Sequence, residues 1–407
     1  MNFNRLKIVF PLWALAWAVV LPLAAQNDEC CIVEALNVLA LASAVPDGAP
    51  DGRSLGLAGV FAPLADDAGA AFLNPSGLSS LSRPSMAMAA TYGEGDDRLS
   101  PFIAFAYPKK RWTLGFYHVS WGQTLSGSEK SPEPGPPAAA KFDLEVNGFG
   151  LALAYYLHPS VYVGVGVIHT RMEFQGRQLL ADGVTLGQTV EDEDQGLHAG
   201  ILVKPNRAWS MGAFWRQKTL FSMRSRVEGR FTGGQARDFD LEGTSVSVLP
   251  STYGLGFSYL PGWAALRGSS ILLFQADRLE RSKTLDTSRP VVVRNLLGDF
   301  LADPGGEFES EDETHYRLAV EHSFWGSKWV PALRGGIHLA RGGAISFRPV
   351  RQTSQTETYL NAYPESRDTW HYALGTGILP REGMSLEFGA VYSESRYAYS
   401  LLFTMRL

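Results

Sequence analysis

Arg317 and Arg334 are the residues of this chain best suited to hold an anion. A guanidinium presents a planar fork of donors that meets a carboxylate through charge-assisted hydrogen bonds. Both arginines stand in stretches whose character alternates residue by residue. Read with that period of two, Lys204, His198, Glu321, His371, Glu387 and Arg406 fall on the same inward face. Most of these are expected to be paired or solvated wall residues, with one arginine left to meet a ligand carboxylate. A second candidate lies between Lys218 and Val248, where Leu220, Phe221, Met223 and Phe231 interrupt a charged run. Apolar residues placed there form either a first capture groove for an amphiphile or a cap on a rim.

Other local signals are weaker. Glu191-Asp192-Glu193-Asp194 is an acidic run at an expected loop end, read as solvated surface with divalent-cation binding as the alternative. Gly164-Val165-Gly166 and Gly375-Thr376-Gly377 resemble pieces of a dinucleotide fingerprint, but each belongs to an alternating segment, so they read as wall glycines. The barrel segment shows no Gly-x-Ser-x-Gly elbow, no His-Glu-x-x-His pair and no phosphate-cradling loop. No enzyme, metal site or cofactor is therefore expected.

The elements that would position these side chains are about fourteen short strands. In Gly148–Leu157, Phe149, Leu151, Leu153, Tyr155 and Leu157 alternate with glycine and alanine. Tyr253, Leu255, Phe257 and Tyr259 alternate with small residues in the same way, as do Tyr316, Leu318, Val320, His322 and Phe324 with Arg317, Ala319, Glu321 and Ser323. A helix would repeat near 3.6, and these segments do not. Ile271–Ala276 is apolar on both faces and fits less well. The pattern predicts a transmembrane antiparallel β-barrel, in which roughly 9–11 residues per strand cross the bilayer with apolar residues outward.

The expected strands begin near Ser85, Leu99, Arg111, Leu144, Ser160, Gln195, Ala208, Leu249, Ser269, Thr314, Val330, Trp370, Met384 and Ala398. Short turns such as Pro108-Lys109-Lys110, His158-Pro159 and Pro205-Asn206 alternate with long polar connections at 122–143, 174–194, 218–248, 280–313 and 341–369. Short turns on one rim and long loops on the other are the barrel arrangement. Tyr107, Trp112, Trp209, Tyr259, Trp263, Trp325 and Trp329 lie beside the short turns; Trp121, Trp215, Trp370, Tyr392 and Tyr397 lie toward the loops. They predict two interfacial girdles.

Residues 1–25 combine Arg5 and Lys7, an apolar core and small residues before Gln26, and read as a cleavable secretory signal. The formal net charge of −5, without a basic stripe, gives no reason to expect nucleic acid. Cys30 and Cys31, the only two cysteines, are adjacent and unsuited to bridging each other, which excludes a disulfide framework.

Residues 26–84 differ from the rest. An Ala/Leu-rich stretch, Ile32 to Val45, could form a short helix before the break at 46–52. Arg53-Ser54-Leu55-Gly56-Leu57-Ala58-Gly59 and then Ala65-Asp66-Asp67 lead into Asn74-Pro75-Ser76-Gly77-Leu78. Here the chain resembles the long-chain fatty-acid and aromatic-hydrocarbon transporters of Gram-negative outer membranes, the FadL/OmpP1/TodX group. Ser76 stands where that group usually shows alanine. The likeness extends to Pro250-Ser251-Thr252-Tyr253-Gly254-Leu255-Gly256-Phe257 and to the last two strands.

The resemblance implies a fourteen-stranded barrel, residues 85–407, whose lumen is closed by residues 26–84 acting as a hatch. A hydrophobic small-molecule ligand would enter near the external loops and leave sideways or past a shifted hatch. Gly69, Asn74, Pro75, Gly77 and Leu78 become the hatch or gating residues, with Arg317, Arg334, Phe221, Met223 and Phe231 as candidate ligand contacts. Outer-membrane lipid, lipopolysaccharide and the barrel assembly machinery are the implied partners of a monomer. The alternating C-terminal strand, ending in Leu407 where such strands usually end in an aromatic, suits that assembly. Related barrels also serve as secretion-associated shuttles or surface attachment components, which is the competing expectation.

Overall fold

The computed structural model describes residues 50–93, 99–129, 138–179, 184–231, 239–261, 268–283, 292–295, 298–301, 306–324, 331–343, 345–349, 368–381, 383–393 and 397–407. The expected signal segment, the Ala/Leu-rich stretch, the cysteine pair, Trp263, Trp325 and Trp329 lie outside them.

Fourteen antiparallel strands close into a barrel. In chain order they are β1 (Ser85–Gly93), β2 (Ser100–Lys109), β3 (Trp112–Glu129), β4 (Ala138–His158), β5 (Val161–Leu179), β6 (Val184–Val203) and β7 (Trp209–Arg216). They continue as β8 (Thr252–Tyr259), β9 (Gly268–Leu279), β10 (Glu313–Phe324), β11 (Ala332–Arg341), β12 (Thr369–Arg381), β13 (Met384–Ser393) and β14 (Tyr397–Arg406). Each pairs with its sequence neighbour, and β14 closes on β1 from Ser85↔Arg406 to Gly93↔Ala398. Closure leaves the barrel no unpaired edge, as a bilayer requires of backbone polar groups.

Alternation determines the faces. Phe149, Leu151 and Leu153 are exposed to the lipid side, while Gly148, Gly150, Ala152 and Ala154 are buried inward. Trp112 packs on Tyr155 and Trp209 stacks on Tyr259, each pair with ring centroids 4.4 Å apart, at the short-turn end. Trp215, Trp370, Tyr392 and Tyr397 are exposed toward the other end. Arg406, expected inward, is exposed because it is the last residue of β14 and lies at the rim.

The long connections after β3 and β5 are largely strand, not the loops expected from sequence. Strands β3 to β6 run 18, 21, 19 and 20 residues, about twice the length a bilayer needs. Much of the expected loops 122–143 and 174–194 is therefore sheet rising beyond the membrane. The acidic run Glu191–Asp194 sits inside β6, opposite Thr170–Glu173 of β5, where Arg171 forms an ion pair with Glu191.

The connection 218–248 is likewise a hairpin, Thr219–Phe231 with Phe239–Leu249. Its register continues that of β7 with β8: Trp209↔Tyr259 to Arg216↔Thr252, then Thr219↔Leu249 to Gly229↔Phe239. The ladder is interrupted only at Gln217–Lys218 and Pro250–Ser251, where proline has no N–H to donate. Along β6 the register slips by one residue between His198↔Arg216 and Thr189↔Arg226. Side chains bridge the slip: Leu220 N donates to Asp194 Oδ2 at 2.7 Å, and Leu197 N to Gln217 Oε1 at 3.3 Å.

Residues 50–84 lie inside this wall. They form helix α1 (Gly52–Gly56), helix α2 (Ala70–Leu73) and a 3-10 turn, Pro75–Ser80. Asp51 caps α1 by accepting from Ser54 N at 2.8 Å. Small wall residues admit the segment. A Cβ added at Gly164 would strike the Pro75–Ser76 backbone, one at Gly212 the Ala62 carbonyl, and one at Gly389 the Gly52 carbonyl. Phe61, Phe72 and Leu78 join Phe102, Tyr117, Ile168 and Leu402 in one apolar cluster; Leu57, Val60 and Leu64 join Leu273 and Ala319 in another. The second cluster explains why Ile271–Phe274 of β9 is apolar on both faces: Leu273 packs on the inner segment while Leu272 and Phe274 face outward.

Candidate functional site

Asn74 organises the Asn-Pro-Ser-Gly-Leu turn. It adopts an extended backbone, and its Oδ1 accepts from Ser76 N at 3.3 Å and Ser76 Oγ at 2.6 Å. Its Nδ2 donates to Ala62 O at 3.0 Å, tying this turn to an earlier one in the same segment. Pro75 opens the 3-10 turn, where its missing N–H is no loss. Gly77 has no room for a side chain, since a Cβ would overlap Ala65. Gly69 N donates to Asp67 Oδ1 at 2.7 Å, and Leu78 is fully buried against the wall. The structure thus brings Gly69, Asn74, Pro75, Gly77 and Leu78 together in the lumen.

A chain of charges fastens the opposite side of the inner segment. Arg53 Nη1 reaches Asp66 Oδ1 at 2.6 Å, and its Nε reaches Glu321 Oε2 at 3.2 Å. Arg334 bonds Glu321 Oε2 and Glu387 Oε2, each at 2.6 Å. Within this network Glu321 and Glu387 each face an arginine, which is what burial demands of a carboxylate. The carboxyl of Asp67 is pushed up to about 8, first by burial and then by the nearby acids Asp51 and Asp66.

Between the inner segment and the wall lies a cavity of about 100 Å³. Phe61, Ala62, Phe72 and Leu73 supply its floor; Trp121, Ile168, Phe214, Leu249 and Leu279 supply apolar wall. Arg216, Gln275, Asp277, His315 and Arg317 add polar groups. The two interruptions in the wall ladder border it, because Gln217 and Pro250 are also lining residues.

The two arginines singled out from sequence differ in placement. Arg317 lines the cavity, but it is ion-paired with Asp277 and bonded to His315 Nδ1 at 2.8 Å. Arg334 belongs to the Glu321–Glu387 network and does not line the cavity. Phe221 is wholly buried in the hairpin. The side chains of Met223 and Phe231 lie outside the described residues.

Sequence parity placed His371 on the inward face but missed its neighbours His315 and His338, together with Gln275 and Arg216. His315, His338 and His371 form a stack across β10, β11 and β12, with successive ring centroids 4.6 Å apart and His338 Nε2 2.8 Å from His315 Nδ1. His315 and His338 share the inward parity of Arg317 and Arg334, and that parity was the available signal. Gln275 holds the inner segment by accepting from Phe61 N and Ala62 N at 3.0 and 2.9 Å. Arg216 shares the inward parity of Gly212, but it ends β7 just before a stretch that reads as loop.

A closed antiparallel barrel with its lumen occupied by an N-terminal segment defines the architectural class: a plugged transmembrane β-barrel. Among solved structures, the chain is similar to the CymD monoaromatic hydrocarbon channel, at 16% identity and TM-score 0.65, over 89% of this chain and 99% of that one. It is similar to a Pseudomonas aeruginosa FadL homologue, at 14% identity and TM-score 0.63, over the same shares of the two chains. The P. putida toluene transporter TodX aligns at 12% identity and TM-score 0.65, again over 89% and 99%. The fold is therefore that of the FadL-type barrels. No protein-family model and no curated protein sequence matches the chain.

Proposed function

We propose that this protein is an outer-membrane channel for passive uptake of small hydrophobic molecules, with residues 26–84 forming its hatch. The carrying observation is the largely apolar cavity floored by Phe61 and Phe72, because it sets a dry site directly on the segment that closes the lumen. An apolar ligand needs such a site, and an open lumen would offer only water and a leak. The solved neighbours are described as a hydrocarbon channel, a FadL homologue and a toluene transporter, which supports the reading. Outer-membrane lipid, lipopolysaccharide and the barrel assembly machinery are its proposed partners, and it acts as a monomer without a cofactor.

The competing reading, a shuttle or attachment barrel, is favoured by one observation: the Arg53–Glu321–Arg334–Glu387 network fills part of the lumen with paired charge. Native mass spectrometry of the detergent-purified protein, followed by liposome uptake assays, separates the two. Uptake reads as a bound apolar molecule and faster entry of toluene or hexadecanoate than in protein-free vesicles. Neither binding nor entry would leave the shuttle reading.

A further inference from the structure

Two arginines line the cavity, and their electrostatic situations differ. Arg317 is compensated by Asp277 on the neighbouring strand. Arg216 has no carboxylate within ion-pair distance among the described residues. Its Nη2 donates to the carbonyl of Phe72 at 3.0 Å, and its guanidinium lies 4.2 Å from the Phe72 ring centroid. Arg216 is half-buried, and a carbonyl and a ring face offset only part of the cost of taking a cation partly out of water. An anion entering the cavity would supply what the wall does not.

Shape limits what else the anion carries. The cavity, at about 100 Å³, is well below the roughly 300–1,000 Å³ of sites for drug-sized ligands. It is nearer the roughly 150 Å³ apolar cavity known to accept benzene. Its apolar lining is rich in rings, with Phe61, Phe72, Trp121 and Phe214. Rings prefer offset and edge-to-face neighbours, which such a lining offers to one further ring. An extended alkyl chain would not be enclosed.

We infer that the cavity is a binding site for a small aromatic monocarboxylate, with the ring among Phe61, Phe72, Trp121 and Phe214 and the carboxylate on Arg216. This inference rests on the uptake reading and narrows it to a substrate class. The guanidinium fork can give two parallel donors to a carboxylate. Nη2, now shared with the Phe72 carbonyl, would turn to the ligand. Binding therefore loosens one of the bonds that hold α2 of the inner segment to β7.

The test is isothermal titration calorimetry of the full chain in detergent micelles with sodium benzoate, toluene and hexadecanoate. Arg216→Gln and Arg216→Lys are titrated beside the parent, and heat-modifiable migration on gels verifies that each barrel is folded. The expected result is benzoate binding at least about tenfold tighter than toluene in the parent. Arg216→Gln removes that preference, a loss of about tenfold to a hundredfold for benzoate, while toluene is unchanged. Arg216→Lys, which keeps the charge but not the fork, retains part of it. Toluene binding as tightly as benzoate, or a preference that survives in Arg216→Gln, overturns the inference and leaves the uptake reading standing. Tighter binding of hexadecanoate than benzoate overturns the ring assignment. Binding of none of the three overturns the uptake reading and the inference together.

Discussion

Arg53 of the inner segment and Glu321 of the wall form a two-point ion pair, Nε to Oε2 at 3.2 Å and Nη2 to Oε1 at 3.3 Å. The contact joins residues 268 positions apart and is continued by Arg334, whose Nε donates to the same Glu321 Oε2. It fixes the height at which α1 sits in the barrel. The barrel ladder does not depend on it. Docking of the inner segment and stability of the wall are therefore separable properties.

Arg53→Ala tests that separation. Removing one partner of a buried charge network costs on the order of 3–5 kcal/mol, and here the loss falls on docking. Planar-bilayer recordings should show raised or flickering ion conductance, with heat-modifiable migration of the barrel unchanged. A silent Arg53→Ala channel would show that apolar packing alone holds the segment.

Asn74→Ala removes the donor to Ala62 O and the acceptor for both Ser76 groups. Leaving such buried groups unpaired costs about 1–3 kcal/mol each. Protease cleavage within residues 50–84 should accelerate at least tenfold relative to the parent. Pro75→Ala, which removes no hydrogen bond, should have a smaller effect.

Gly200→Val tests the fit from the wall side, since even a Cβ there would run into Asn74 Oδ1. Overpacking of this kind costs roughly 1–3 kcal/mol. The same proteolysis assay should respond as it does to Asn74→Ala. The double variant should fall short of additivity, because both changes disturb one contact.

Asp67 predicts a pH dependence. Its carboxyl is raised from the ordinary 3.8 to about 8, so between those values the docked segment holds a proton that the undocked chain has lost. The contribution of Asp67 to docking is then fully present below about pH 4, weakens as pH rises through the window, and is lost above about pH 8. Hydrogen exchange of amides 66–73, corrected for intrinsic rate, should lose protection from about pH 5 to about pH 8. Asp67→Asn should flatten the profile; an unchanged slope would assign the effect to another group.

The membrane-spanning part of the wall was legible because lipid imposes a period of two on every strand that crosses it. Strand starts at Ser85, Trp112, Val161, Trp209, Gly268 and Met384 fall within one residue of those expected. The extensions of β3 to β6 were not legible, for the same reason. The inner face of these extensions is still covered, with Leu144, Val146, Met172, Phe174 and Val190 buried, but Glu191–Asp194 places acids on both faces and reads as loop. Cross-strand partners such as Arg171 with Glu191 hold it in the sheet instead.

The residues around Asn74 signalled a local turn by their types alone, and the turn is local: Asn74 bonds Ser76 and Ala62. The roles of the inward arginines were not local. Sequence parity placed Arg317 and Arg334 on the lumen side, because side-chain direction in a strand depends only on counting residues. Which arginine keeps an acid depends on strand order, register and the path of the inner segment. Those bring Asp277 to Arg317, and Glu321 and Glu387 to Arg334, while Arg216 is left facing a carbonyl and a ring. Charge compensation acts over a few ångströms between residues far apart in the chain, so only the folded barrel could decide it.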